Sequence, residues 1–301
     1  MEHRGSHSSS LGKARQAGAL DLSSGVVGTS RSFPNDRKGL KKRGLGESCV
    51  KVEVFQDSES LALAAAHHLV DSANAAIQIR GVFRMALAGG ATPRALYASL
   101  AKKFHKSLDW TKVHFYWGDE RDVANDDNES NFKMSWETLL QPLKISDQHI
   151  HRIWRTWNSH RTVNDVAMAA DEYDSILSRI PIIDFVLLGL GEDGHTASLL
   201  LDAEPVSQSI TVAKRRAIGL WSPHLQAFRI SMTADYINHA REVAFLVSGV
   251  GKAEILSQML EPKKTVQNTK TQYPAQLIHP TFGKLSWWVD RAAASLLSSA
   301  A

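Results

Sequence analysis

The 301-residue chain is 43% apolar, carries a formal net charge of +4 and has one cysteine, Cys49. This composition permits an ordinary globular core and excludes an internal disulfide and a cysteine-based zinc site. No stretch approaches the roughly 18 consecutive apolar residues of a membrane span.

Residues 1–48 hold nine Lys/Arg against four Asp/Glu, so the remainder is close to neutral. That balance gives no indication of a nucleic-acid surface. The segment is rich in Ser, Gly and basic residues and shows no hydrophobic period, which predicts a disordered extension. It lacks the apolar core of a secretory signal. Its Arg- and Ser-rich, acid-poor character leaves an organelle transit peptide as the alternative to a cytoplasmic location. Residues 49–301 are expected to form a single α/β domain.

The first ordered element is an alternating strand at 50–55. Ser58 can cap a helix running to about residue 79, with Leu61, Ala65 and Leu69 at helical spacing. A strand at 83–88 leads into Gly89-Gly90-Ala91-Thr92-Pro93 and a helix from 94 to about 103. The strand at 113–117 ends at Gly118-Asp119-Glu120-Arg121, and a helix follows from Ser130-Asn131 to about 140. Residues 149–153 are read as a short strand and 164–179 as a helix. Residues 182–188 form an apolar run suited to a strand buried on both faces. It stops at Gly189-Leu190-Gly191-Glu192-Asp193-Gly194-His195, and 196–201 reads as the start of a helix. Strands are expected at 217–221, 228–232 and 243–248, the last ending at Gly249-Val250-Gly251-Lys252 before a helix to about 260. A polar loop at 262–272 and a closing helix at 285–297, with Trp287 and Trp288, complete the chain. Strands alternating with helices predict a doubly wound, mainly parallel sheet with helices on both faces.

Four strands end in the same style. In a parallel sheet such ends share one edge, where open α/β folds keep their ligands. Gly89, Gly90, Ala91 and Thr92 open a helix, whose free N–H groups and dipole favour an anion such as phosphate. The plain alternative is a glycine turn with Thr92 as an N-cap. Arg121 can stabilise an oxyanion or hold a carboxylate or phosphate, or it can be an internal ion pair with its neighbours. Lys252 at a helix start gains nothing from the dipole, so an anion nearby would explain it; a solvated lysine is the alternative. His195 is a candidate base that Asp193 can orient. The pair His67-His68 lies on a helix and reads as surface. The GxGxxG match at 189–194 is discounted, because no acid-ending second strand follows about 20 residues on. GxxxxGK[ST], HExxH and GxSxG are absent, and the 13 histidines show no metal-ligand spacing.

Together these motifs resemble the 6-phosphogluconolactonase family: GGATP at 89–93, GDER at 118–121, ESN at 129–131, GLGEDGHTASL at 189–199, FLVSGVGKAEIL at 245–256 and YPAQLIHP at 273–280. The resemblance implies hydrolysis of 6-phosphogluconolactone in the oxidative pentose phosphate pathway, on a sheet related to sugar-phosphate isomerases and deaminases. It implies no cofactor and no metal. The partner is a small sugar-phosphate lactone, with no nucleic acid or membrane, in a monomer or weak homo-oligomer. His195 would activate water, Asp193 or a neighbour would orient it, and Arg121 would stabilise the oxyanion. Gly89, Gly90, Ala91, Thr92, Asp119 and Lys252 would contact the substrate, with Arg94 and Arg229 as further phosphate candidates. The chain departs from the family at Leu200-Leu201-Asp202, where a Phe-Pro turn is usual, and at 123–128, which lacks the usual prolines. An amino-sugar-phosphate deaminase with Asp119 as base, and a non-catalytic sugar-phosphate sensor, are the other two readings.

Overall fold

The structure is a computed structural model that describes residues 29–33, 50–154, 161–206, 215–261 and 273–298. In chain order it contains β1 (Thr29–Phe33), β2 (Val50–Phe55), α1 (Ser58–Arg80), β3 (Phe83–Leu87), α2 (Ala91–Lys103), β4 (Val113–Trp117), β5 (Asp119–Arg121) and α3 (Asn131–Ser135). Then follow α4 (Val163–Ser178), β6 (Phe185–Leu188), β7 (Glu204–Pro205), β8 (Ala217–Ser222), β9 (Ala227–Met232), α5 (Ala234–Asn238), β10 (Glu242–Val247), α6 (Ala253–Leu260) and β11 (Lys284–Asp290).

The main sheet has the order β1-β2-β11-β10-β6-β3-β4, and every pairing in it is parallel except β1 with β2. This is the doubly wound α/β arrangement expected. Its central strands are apolar on both faces: β6 is buried at all four positions and β10 at all six. Burying such strands on both faces stabilises the fold by about 1.5–3 kcal/mol for each large apolar side chain. The parallel β3, β4, β6 and β10 all end on one edge.

A second sheet, β5-β9-β8-β7, is antiparallel throughout. The segments 217–221 and 228–232 are strands as expected, but they belong to this sheet and not to the parallel one. At Gly118 the chain leaves the main sheet, and Asp119–Arg121 pairs with β9 instead.

Several expectations are corrected. Residues 285–297 are not a helix. Lys284–Asp290 is a strand between β2 and β10, with Trp287 stacked on Phe245 at 3.9 Å between ring centroids. Trp and Val suit a pleated surface buried on both sides, and this pull outweighs any helical period. Residues 196–201 form a tight turn, in which the Leu199 N–H donates to the Thr196 carbonyl at 3.0 Å and Ala197 takes φ 49°. Within 149–153 there is only an isolated bridge from Ile150 to Phe115. Asp57, not Ser58, caps α1, by accepting from the Ser60 N–H at 2.8 Å. Residues 29–33, expected within a disordered extension, form the edge strand β1. The rest of that extension and the loop 262–272 lie outside the described residues. No described helix is long and apolar enough to cross a membrane.

Candidate functional site

Gly191 makes the centre of the site possible. A Cβ added there would overlap both His195 Nδ1 and Asp193 Oδ1. Without one, the loop after β6 folds back so that the Gly191 N–H donates to the His195 carbonyl at 2.8 Å. His195 Nδ1 then meets Asp193 Oδ1 at 2.5 Å, and the His195 backbone N–H reaches the same oxygen at 3.2 Å. Burial pushes the Asp193 carboxyl up, but the His195 backbone N–H and imidazole outweigh it and hold the group below its usual value. An ionised carboxylate on Nδ1 fixes the tautomer that leaves Nε2 able to accept a proton. Nε2 has no hydrogen-bond partner among the described residues.

The turn beyond His195 is locked to the GDER segment. Ser198 Oγ donates to Asp119 Oδ2 at 2.6 Å, and Thr196 Oγ1 donates to the Gly189 carbonyl at 2.8 Å. Asp119 is buried, and its other oxygen accepts from Asn131 Nδ2 at 3.2 Å. Both oxygens are therefore engaged in holding loops together. Glu120 is buried as well. It accepts from the N–H groups of Arg121, Asn131 and Phe132 at 2.8–2.9 Å, tying α3 to β5. Burial is the main influence on its carboxyl and pushes the pKa up.

Beside this frame lies a cleft of about 390 Å³, lined by Gly90, Ala91, Arg94, Arg121, Arg229 and the segment 128–131 among others. The cleft is cationic. Arg121 and Arg229 are register partners across β5 and β9, and the Nε of each is buried without a hydrogen-bond partner in the described residues. Buried guanidinium N–H groups left unpaired are uncommon, and an anion would satisfy them. Burial pushes the Arg229 guanidinium down from its ordinary value, against the attraction of Asp119. Arg121 Nη1 donates to the Glu129 carbonyl at 2.5 Å. Gly90, at φ 101°, begins α2 without any side-chain cap. Thr92 is thus not the N-cap, and the first turn of α2 has no side-chain cap beside the cleft-lining Gly90 and Ala91.

Of the residues singled out in the sequence, Gly90, Ala91 and Arg121 line the cleft, as do the further phosphate candidates Arg94 and Arg229. Gly89 instead makes room for the Asn131 amide. Thr92, Asp193, His195 and Lys252 are not among the lining residues. Lys252 Nζ lies 3.7 Å from Glu192 Oε1, which joins the loop after β10 to the loop after β6. Asn128 and Met134 are cleft residues that the sequence reading missed. Their proximity to the ESN motif at 129–131 was the available signal. Tyr273 was missed in its role: its ring packs on Gly194, and the Ala275 N–H donates to the Gly194 carbonyl at 3.0 Å. His68, expected at the surface, is half-buried against Trp288 and paired with Glu242. Among the described residues no group of three or more His, Cys, Asp or Glu is arranged to hold a metal ion.

Comparison with known proteins gives a consistent result. A profile described as glucosamine-6-phosphate isomerases/6-phosphogluconolactonase matches residues 56–287. A protein named 6-phosphogluconolactonase from Nostoc sp. is 33% identical, over 82% of this chain and 98% of its own length. A rice protein named probable 6-phosphogluconolactonase 3, chloroplastic, is 30% identical over 82% of this chain and 76% of its own. A solved structure titled 6-phosphogluconolactonase from Trypanosoma cruzi superposes with a TM-score of 0.69 at 27% identity, covering 82% of this chain and 96% of that one. The chain belongs to the glucosamine-6-phosphate isomerase/6-phosphogluconolactonase family.

Proposed function

We propose that this chain hydrolyses 6-phospho-D-glucono-1,5-lactone to 6-phosphogluconate, the second step of the oxidative pentose phosphate pathway. The relatives named 6-phosphogluconolactonase support the activity. The observation that carries the assignment of residues is the His195–Asp193 pair, at the same sheet edge as an arginine-lined cleft.

In this reading His195 Nε2 takes a proton from water as the water oxygen bonds to the lactone carbonyl carbon. Arg121 stabilises the resulting oxyanion. The bond from that carbon to the ring oxygen then breaks, and the imidazolium returns its proton to the ring oxygen. The carboxylic acid formed ionises and releases one proton to solution. A lactone is an activated ester, so no covalent intermediate is required. The 6-phosphate is assigned to the start of α2 at Gly90 and Ala91, with Arg94 and Arg229. A phosphate dianion there would satisfy donors that the protein itself leaves unpaired. Thr92 and Lys252 are given supporting roles at the rim. Asp119 is assigned to holding the loops, which disfavours the deaminase reading, where it would have to move a proton.

The location proposed is the cytoplasm, and fractionation of cells expressing the full-length chain separates this from an organelle. The activity test is proton release on adding fresh 6-phosphogluconolactone, against the spontaneous rate. Wild type should accelerate release and His195→Ala should not. No acceleration by folded wild type, with turnover of glucosamine 6-phosphate instead, would move the chain to the isomerase and deaminase branch.

A further inference from the structure

The Arg121 guanidinium is held by the carbonyl of Glu129, a cleft residue, but the Arg121 backbone is held by residues that do not line the cleft. Its N–H is held by the Glu120 carboxylate at 2.8 Å, and its carbonyl accepts from the indole Nε1 of Trp154 at 3.1 Å. The face of the Trp154 ring is covered by Arg161, whose guanidinium carbon lies 3.5 Å from the ring centroid. Arg161 Nη1 then pairs with Asp122 Oδ1 at 2.7 Å, and Asp122 is the residue after Arg121. The Asp122 N–H donates to the Phe228 carbonyl at 3.2 Å, beside Arg229. Trp154 is buried, and the Arg161 side chain is 4% exposed.

We propose that Trp154, Arg161 and Asp122 form a positioning clasp that fixes the direction of Arg121, and through β9 that of Arg229, toward the substrate. The ring closes on itself: Arg121 carbonyl, Trp154, Arg161, Asp122 and back to Arg121 through one peptide bond. Burying a guanidinium is costly unless it is paired. Here burial pushes the Arg161 guanidinium down from its ordinary value, and Asp122 is the foremost influence holding it up. A buried ion pair stacked on an indole contributes little net stability compared with an apolar plug of the same size, but it has one geometry. That geometry suits fixing the Arg121 backbone, from which the guanidinium projects. None of the three touches the cleft, so they are positioning residues.

The inference rests on the reading that Arg121 contacts the substrate, and the test separates the two. Trp154→Phe keeps a ring for Arg161 to stack on and removes only the N–H. In the wild-type background it should lower kcat/KM for the lactone by about three- to tenfold, the worth of one hydrogen bond. The loss should fall on the parameter that Arg121→Ala changes, with a melting temperature close to that of wild type. In an Arg121→Ala background Trp154→Phe should cost clearly less, only the part that acts through Arg229, since the two changes share one coupled interaction. Calorimetric titration with 6-phosphogluconate should show the same coupling without any turnover. Asp122→Asn, which opens the clasp from the far side, should reproduce the pattern more weakly and serves if Trp154→Phe fails to fold. Equal losses in both backgrounds, or full activity of both clasp variants, would overturn the clasp. Full activity of Arg121→Ala would instead overturn the role of Arg121, and the clasp with it.

Discussion

Two histidines in this molecule make the same contact with a carboxylate, and only one of them is a candidate for chemistry. His195 Nδ1 and His68 Nε2 each lie 2.5 Å from a carboxylate oxygen, of Asp193 and Glu242 respectively. Exposure does not separate them, because the imidazole of His68 is 42% exposed and that of His195 is 36% exposed. The carboxylates do. Glu242 is 11% exposed and starts a buried strand, so its imidazole, with the Ser72 hydroxyl, serves to satisfy it. Asp193 is 52% exposed and has water available. It does not need the histidine; the histidine needs it, to hold the ring still. The place in the sheet completes the difference: His195 follows the carboxyl end of β6, while Glu242 opens β10 at the opposite edge. A His–carboxylate contact is thus informative only when one asks which partner is being served.

The largest effect expected from that contrast is on turnover. His195→Ala should lower kcat by about 10²–10⁴-fold with the melting temperature unchanged, the usual worth of general base action, in the proton-release assay. His68→Ala should leave kcat as it is. Gly191→Ala puts a methyl group where the imidazole and carboxylate meet. A displacement of that order can cost about 10²-fold, so kcat should fall toward that of His195→Ala while KM changes little. Arg229→Ala removes a cleft cation without touching the pair, and should raise KM by roughly tenfold, as loss of a charge-assisted hydrogen bond does. Lys252→Ala, paired as it is with Glu192, should raise KM less than that. His68→Ala should cost about 1–3 kcal/mol of stability by leaving Glu242 under-satisfied, seen as a lower denaturant midpoint.

The smallest effect belongs to a third histidine, away from both pairs. Burial, then His149 and Arg84, push the His114 imidazole below its ordinary value. Folding therefore favours the neutral ring, while the unfolded chain takes up a proton below about pH 6.5. The associated stability is present above that pH and is lost as the pH falls through it. The melting temperature should be lower at about pH 5.5 than at about pH 7.5, and His114→Asn should flatten the difference.

What the sequence made legible was local. The glycine turn before α2, the Asp-Glu-Arg strand end and the Asp193–His195 spacing are each made of consecutive residues, so period and turn chemistry are enough to find them. The parallel sheet followed from the alternation of elements. Three things depended on distant partners. The turn at 196–199 yields to a hydrogen bond from Ser198 to Asp119, 79 positions away. The strand Lys284–Asp290 has side chains buried on both faces from Ser286 on, which leaves no alternation to read. Arg229 joins the cleft only because Asp119–Arg121 abandons the main sheet and pairs with β9. Nothing within either strand announces that pairing.

That pairing sets two arginines opposite each other on neighbouring strands. Like charges so placed on neighbouring strands are unfavourable, and any chain under selection for endurance alone would be rid of one of them. A library of variants sorted only for survival at high temperature should therefore lose Arg121 or Arg229 early. The same library sorted for growth on the substrate should keep both. The difference between the two harvests would read out, position by position, how much steadiness this lineage gives up to keep an anion-seeking corner in its fold.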